Sequence, residues 1–201
     1  MSGKLIVISG PSGVGKSTVL KRVMEQTPNL HFSVSATTRP MRPGEVDGLN
    51  YFFVSREAFQ QMISDGALLE YAEYVGNYYG TPEQPVNDQL AAGYDVVLEI
   101  EVQGGKQIKT VAPDCISIFL VPPSLEVLEK RLRGRGTETE AVIQERLAAA
   151  REEIPHVLDY DYTVVNDTVE QAVIDIQAIL EAEKLRVSRD QDIVERILNH
   201  A

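Results

Sequence analysis

The chain has 201 residues, 19 basic against 30 acidic side chains and a formal net charge of −11; 43% of it is hydrophobic and 24% charged. That is the make-up of one folded domain with a substantial core. It excludes a disordered tail, and the acidic balance argues against nucleic acid or an anionic membrane as partner, since both reward a basic surface. One cysteine, Cys115, excludes an internal disulfide framework and a multi-cysteine metal site, and points to an intracellular, cytoplasmic chain.

The charge is uneven. Residues 1–50 hold six basic and three acidic residues, a net of +3, so the remaining residues carry −14. A basic stretch in an acidic chain is an expected seat for an anion. In chain order, Leu5–Ile8 comes first. It is too short for a signal peptide, and no later run reaches the roughly 20 apolar residues of a membrane span. With Val96–Ile100, Ile116–Val121 and Thr163–Val165 it forms a set of Val- and Ile-rich runs without polar alternation. Such runs read as strands buried on both faces of a parallel sheet, and the helical stretches between them as βαβ crossovers.

Directly after the first strand stands Gly10-Pro11-Ser12-Gly13-Val14-Gly15-Lys16-Ser17, which fits G-x-x-x-x-G-K-[ST] at every fixed position and opens a predicted helix. Glycines let backbone N–H groups curl around phosphate oxygens, and the helix N-terminus adds partial positive charge. Lys16 can reach β- and γ-phosphates, and the Ser17 hydroxyl can ligate Mg²⁺. The motif predicts a bound nucleoside triphosphate.

From about Ser35 to Gly80 the βαβ rhythm breaks. Tyr51–Val54, Leu68–Tyr74 and Asn77–Tyr79 read as short aromatic-rich strands around a small helix, Ser55–Ser64, and predict an inserted α+β lobe. Thr81-Pro82-Glu83-Gln84 predicts a helix capped by Thr81; Thr137–Glu140 and Asp167–Glu170 repeat the cap-x-x-Glu spacing. Arg131-Leu132-Arg133-Gly134-Arg135-Gly136 reads as a mobile loop between two helices. The tail, Leu185–Ala201, reads as a polar amphipathic helix that packs either on its own core or on another copy of the chain, as in a homo-oligomer.

A phosphate loop alone does not separate a GTPase, a motor and a small-molecule kinase. No guanine-reading N-K-x-D string follows it. The lobe is more telling. Ser33–Glu45 places Arg39 and Arg42 three residues apart among hydroxyls, followed by Tyr51, Glu70 and Gly76-Asn77-Tyr78-Tyr79-Gly80-Thr81. Planar guanidinium forks bind phosphate bidentately, and phenolic hydroxyls add neutral donors. An ionised Glu70 is acceptor-only and can take guanine N1–H and N2–H₂ together, whereas adenine N1 would face it with a lone pair.

With these strings in this order, the chain resembles the guanylate kinase family, from the phosphate loop to Val165-Asn166-Asp167. The resemblance implies an α/β P-loop nucleoside-monophosphate-kinase fold, with a core about 1–34, 81–125 and 147–201. It also implies a GMP-binding lobe about 35–80 and a mobile lid about 126–146. The implied reaction is Mg²⁺-dependent phosphorylation of GMP, and of dGMP, by ATP in purine metabolism. ATP contacts would fall on the loop from Gly10 to Ser17, on Thr18 and on Asn166. GMP phosphate contacts would fall on Ser35, Arg39, Arg42, Tyr51 and Tyr79, and the guanine site on Glu70, Gly80, Thr81 and Glu101. Arg131, Arg135 and Arg146 match the family's lid arginines. Glu99 would support Mg²⁺ through water, or is a plain strand-end carboxylate.

The chain departs from the family pattern in two ways. Proline directly follows the first arginine, as Arg39-Pro40-Met41-Arg42, which predicts a changed loop with its arginine spacing kept. Glu99 and Glu101 stand where aspartates are usual. The rival readings are a peptide-binding scaffold module of the same fold and a kinase for AMP or UMP. An intact phosphate loop weighs against the first, and Glu70 against the second. No catalytic histidine is expected, because a phosphate acceptor is already anionic; His31, His156 and His200 read as structural or exposed.

Overall fold

The computed structural model describes residues 3–74, 76–134, 136, 139–187 and 193–199. The apolar runs form strands with little change of bounds. β1 (Leu5–Ser9) leads through the phosphate loop into α1 (Lys16–Gln26), and β2 (Leu30–Phe32) follows. The inserted segment supplies β3 (Ala36–Thr37), β4 (Phe52–Phe53), α2 (Arg56–Ser64), β5 (Leu68–Tyr74) and β6 (Asn77–Pro82). The core resumes with α3 (Glu83–Ala91), β7 (Asp95–Glu99), α4 (Val102–Val111) and β8 (Ile116–Val121). Then come α5 (Leu125–Gly134), α6 (Glu140–Glu153), a 3-10 turn at Ile154–Asp159, β9 (Tyr162–Val165), α7 (Val169–Lys184) and α8 (Ile193–Asn199).

The main sheet has the order β2-β7-β1-β8-β9 and every pairing in it is parallel. Alternation along β1 explains why its run is wholly apolar. Ile6 and Ile8 face Val19, Leu20 and Val23 of α1 and Ala172, Val173 and Ile176 of α7. Val7 points to the other face, with Val86, Leu98 and Ile108 from α3, β7 and α4. β1 sits mid-sheet, and the chain passes to β7 on one side and β8 on the other. A parallel sheet opens a crevice for ligands at the carboxyl ends of its strands at such a switch point. The phosphate loop lies there.

The inserted lobe is its own sheet, β4-β3-β6-β5, in which β3 pairs with β4 in parallel and with β6 antiparallel. The two-residue strands β3 and β4 and the three-residue β2 are too short to leave a periodic signal; only the Tyr51–Val54 run announced β4.

Several local expectations need correction. Thr81 does not cap α3: it belongs to β6, pairs with Glu70, and its hydroxyl is taken by that carboxylate, so Pro82 occupies the N-cap position without a side-chain bond. α6 is capped by Thr139, whose hydroxyl accepts the Val142 N–H, which makes Glu140 the first helical residue; Thr137 lies outside the described residues. α7 is capped by Thr168, bonded to the Gln171 N–H, one residue later than Asp167. Arg131–Gly134 is the last turn of α5 and no loop, because Leu128 and Leu132 lie on its buried face against Ile143 and Leu147 of α6. In the tail, α7 ends at Lys184 and the described helix spans only Ile193–Asn199, with Leu185, Val187, Ile197 and Leu198 exposed. No helix among the described residues is long and apolar enough to cross a membrane.

Candidate active site

The phosphate loop is fixed from below. Val14 is fully buried, and its carbonyl accepts Asn166 Nδ2 at 2.7 Å and Arg131 Nη1 at 3.4 Å. Gly15 has a φ of 101°, and a Cβ there would lie 2.7 Å from Asn166 Nδ2, so both the backbone and the space require glycine. Lys16 is almost buried, with Nζ donating to the Gly10 carbonyl at 2.6 Å. Ser12 Oγ accepts Arg146 Nη1 at 2.7 Å, and Ser17 Oγ donates to Glu99 Oε1 at 2.9 Å. Burial pushes the Glu99 carboxyl up, opposed by Ser17 and Lys16.

One cavity of about 420 Å³ runs from this loop into the inserted lobe. The loop and α1 contribute Ser12, Gly13, Gly15, Lys16, Ser17 and Thr18. The lobe contributes Ser35, Arg42, Tyr51, Glu70, Tyr79 and Gly80, and the turn from β7 into α4 adds Glu99 and Glu101. Arg146 reaches in from α6. Ala72 and Ile100 also line it and were not foreseen, since a small apolar wall carries no motif.

Glu70 is only 5% exposed, and Thr81, fully buried behind it, donates its hydroxyl to Oε1 at 2.7 Å. Burial, which the Thr81 bonds oppose, pushes the carboxyl up to about 7. The solvated glutamate that Glu70 would be on its own is therefore not what the fold makes of it.

Arg39 stands behind the cavity wall instead of lining it. Its two terminal nitrogens donate to both Glu45 oxygens, at 2.9 and 2.8 Å, and its guanidinium lies 5.3 Å from the Tyr51 ring centre. Glu45 also accepts the Arg42 N–H at 2.7 Å, and the Arg39 guanidinium beside it holds its carboxyl down to about 2. Glu45 was missed; the only trace of it in the sequence is an acid three residues after Arg42 in the most basic part of the chain.

Of the other expected residues, Arg131 turns its guanidinium to the Val14 and Asp167 carbonyls, and Asn166 lies buried under the loop. Pro11 is buried with the loop but does not reach the cavity. Arg135 and His200 fall outside the described residues. Arg133, bonded to Glu129 on its own helix, ties α5 to α6 through Glu140. His31 packs against the Tyr94 ring and His156 pairs with Asp159, both away from the cavity.

A model of the family described as guanylate kinase matches residues 2–183. The chain belongs to the guanylate kinase family. A guanylate kinase of Streptococcus thermophilus is 56% identical over 188 residues, 93% of this chain and 90% of that protein. One from Lactococcus lactis is 54% identical over 197 residues, 98% and 95% of the two chains. The crystal structure of guanylate kinase from Anaplasma phagocytophilum superposes with a TM-score of 0.81 at 36% identity, covering 98% of this chain and 94% of that one. Family membership accounts for the fold seen here, a parallel five-stranded sheet flanked by helices beside a second, four-stranded sheet.

Proposed function

We propose that the chain transfers the γ-phosphoryl group of ATP to GMP, giving ADP and GDP, with dGMP as a second acceptor. The observation that carries this reading is the continuity of the cavity: the triphosphate loop at Lys16 and Ser17 opens onto the same space as Arg42, Tyr79 and the buried Glu70. A GMP phosphate oxygen attacks the γ-phosphorus, the bond from that phosphorus to the β-bridging oxygen breaks, and ADP leaves. The attacking oxygen is already anionic, so no general base is required, and the barrier is electrostatic: two polyanions must meet in line.

Lys16 and the loop N–H groups hold the donor phosphates, with Arg146 beside them through Ser12. Arg42, Ser35, Tyr51 and Tyr79 orient the acceptor phosphate, with Arg39 steadying Tyr51 from behind. Glu70, kept in place by Thr81, accepts from guanine, and Glu101 stands at the same end of the cavity. We assign the lobe about 35–80 and the lid about 126–146, with Arg135 and Arg146, to closure over the substrates, which excludes water from the reacting phosphates. Arg131, bonded to the Val14 and Asp167 carbonyls, braces the phosphate loop from α5. Asn166 supports the donor side by holding the Val14 carbonyl.

The Ser17 hydroxyl and Glu99 carboxylate are oxygen donors 2.9 Å apart at the loop, a set that suits a hard divalent cation. No group of three or more His, Cys, Asp or Glu that could hold a metal occurs among the described residues. Mg²⁺ is commonly held by one or two side chains with the substrate phosphates completing the shell. When bound it would neutralise charge on the β- and γ-phosphates. We place the enzyme in the cytoplasm.

A coupled ADP-release assay with ATP and each of GMP, dGMP, AMP, CMP and UMP tests the proposal. Turnover with GMP and dGMP and little with the others is expected. Equal turnover with AMP, or none with GMP, would contradict it.

A further inference from the structure

The first turn of α4 contains two successive glycines, Gly104 and Gly105, both buried. A helix disfavours glycine relative to alanine, so the pair asks for a local reason. For Gly105 it is Tyr160, whose hydroxyl a Cβ would meet at 2.2 Å. For Gly104 it lies at the wall of the cavity: a Cβ would stand 2.4 Å from Glu70 Oε2 and 3.0 Å from its Cδ. The other carboxylate oxygen is held by Thr81 at 2.7 Å. Glu70 Oε1 is therefore held by a hydroxyl, while Oε2 occupies the space that a side chain at 104 would need.

We propose that Gly104 is a specificity-determining position. It touches no substrate and acts through Glu70, leaving the space in which that carboxylate keeps its Thr81 bond while facing the cavity. The inference rests on the reading of Glu70 as the acceptor for guanine. A methyl group at 104 turns the carboxylate away, and guanine N1–H and N2–H₂ lose their acceptor. Misplacing a positioning group by about an ångström costs on the order of 10²-fold in rate.

The test is steady-state kinetics on Gly104→Ala, Glu70→Asp, the double variant and Gly105→Ala. For Gly104→Ala, kcat/KM for GMP should fall about 10²-fold, mostly through KM for GMP, with KM for ATP essentially unchanged. Glu70→Asp withdraws the carboxylate by one methylene and vacates the contested space. Adding Gly104→Ala to it should therefore cost little further, a non-additivity that a merely structural role would not produce. Gly105→Ala faces Tyr160 and should keep the preference for GMP over AMP. If Gly104→Ala does not accumulate as folded protein, the double variant, with the clash relieved, should. Equal losses for GMP and ATP, the same cost in both backgrounds, or a double variant that fails to fold would each overturn the inference. A wild type that does not prefer GMP over AMP would instead overturn the reading of Glu70 on which it stands.

Discussion

Glu70 shows how far a residue's role departs from its type. In sequence it is one of many glutamates, and a solvated one would be the ordinary expectation. Here it is buried beside Thr81, with its carboxyl pushed up to about 7. A carboxyl whose folded pKa exceeds its unfolded value binds the proton more tightly when folded. Its contribution to stability is thus most favourable below pH 4.5 and declines as pH rises to about 7. Above that, keeping the ionised form buried costs roughly 3 kcal/mol. Glu70→Gln should therefore be more stable than the wild type at pH 8 in denaturant melts without nucleotide, and the gap should shrink towards pH 4.5. A variant less stable at pH 8 would contradict this account of the site. GMP should stabilise the wild type but not the variant, because only binding to the folded state shifts the equilibrium.

Elements show what was legible before the fold was known. The long apolar runs gave β1, β7, β8 and β9, and the phosphate-loop string gave its place between β1 and α1. What could not be read was anything decided by tertiary pairing. β2 and β3 exist because longer neighbours offer them hydrogen bonds, and Thr81 is claimed by Glu70 before it can cap a helix. The turn around Arg131 was misread because its glycines and charges outweighed one buried leucine. Leu132 is fully buried and packs beneath Gly13, whose Cβ, were there one, would lie 2.6 Å from Leu132 Cδ2. Leu132→Ala should cost about 2–5 kcal/mol in chemical denaturation, as core truncations do. Because the cavity it leaves underlies the phosphate loop, KM for ATP should rise more than KM for GMP. A cost below about 0.5 kcal/mol would mean that α5 does not support the loop.

At the scale of the whole molecule, the net charge of −11 and the anionic substrates are reconciled by position. Lys16 and Arg42, from the basic first quarter, and Arg146, from a stretch whose charges cancel, line one cavity that also holds Glu70, Glu99 and Glu101. The cations suit phosphates, and in the proposed reading Glu70 selects the base. The whole arrangement stands or falls on that selection. It is tested most directly by the ratio of kcat/KM for GMP to that for AMP, measured with saturating ATP in the wild type and in Glu70→Gln. A buried acceptor matched to guanine donors should give a wild-type ratio of ~10⁴ or more. In the variant that ratio should fall by at least ~10²-fold while KM for ATP stays unchanged. A wild-type ratio near one, or a variant that loses GMP and ATP use equally, would contradict the account.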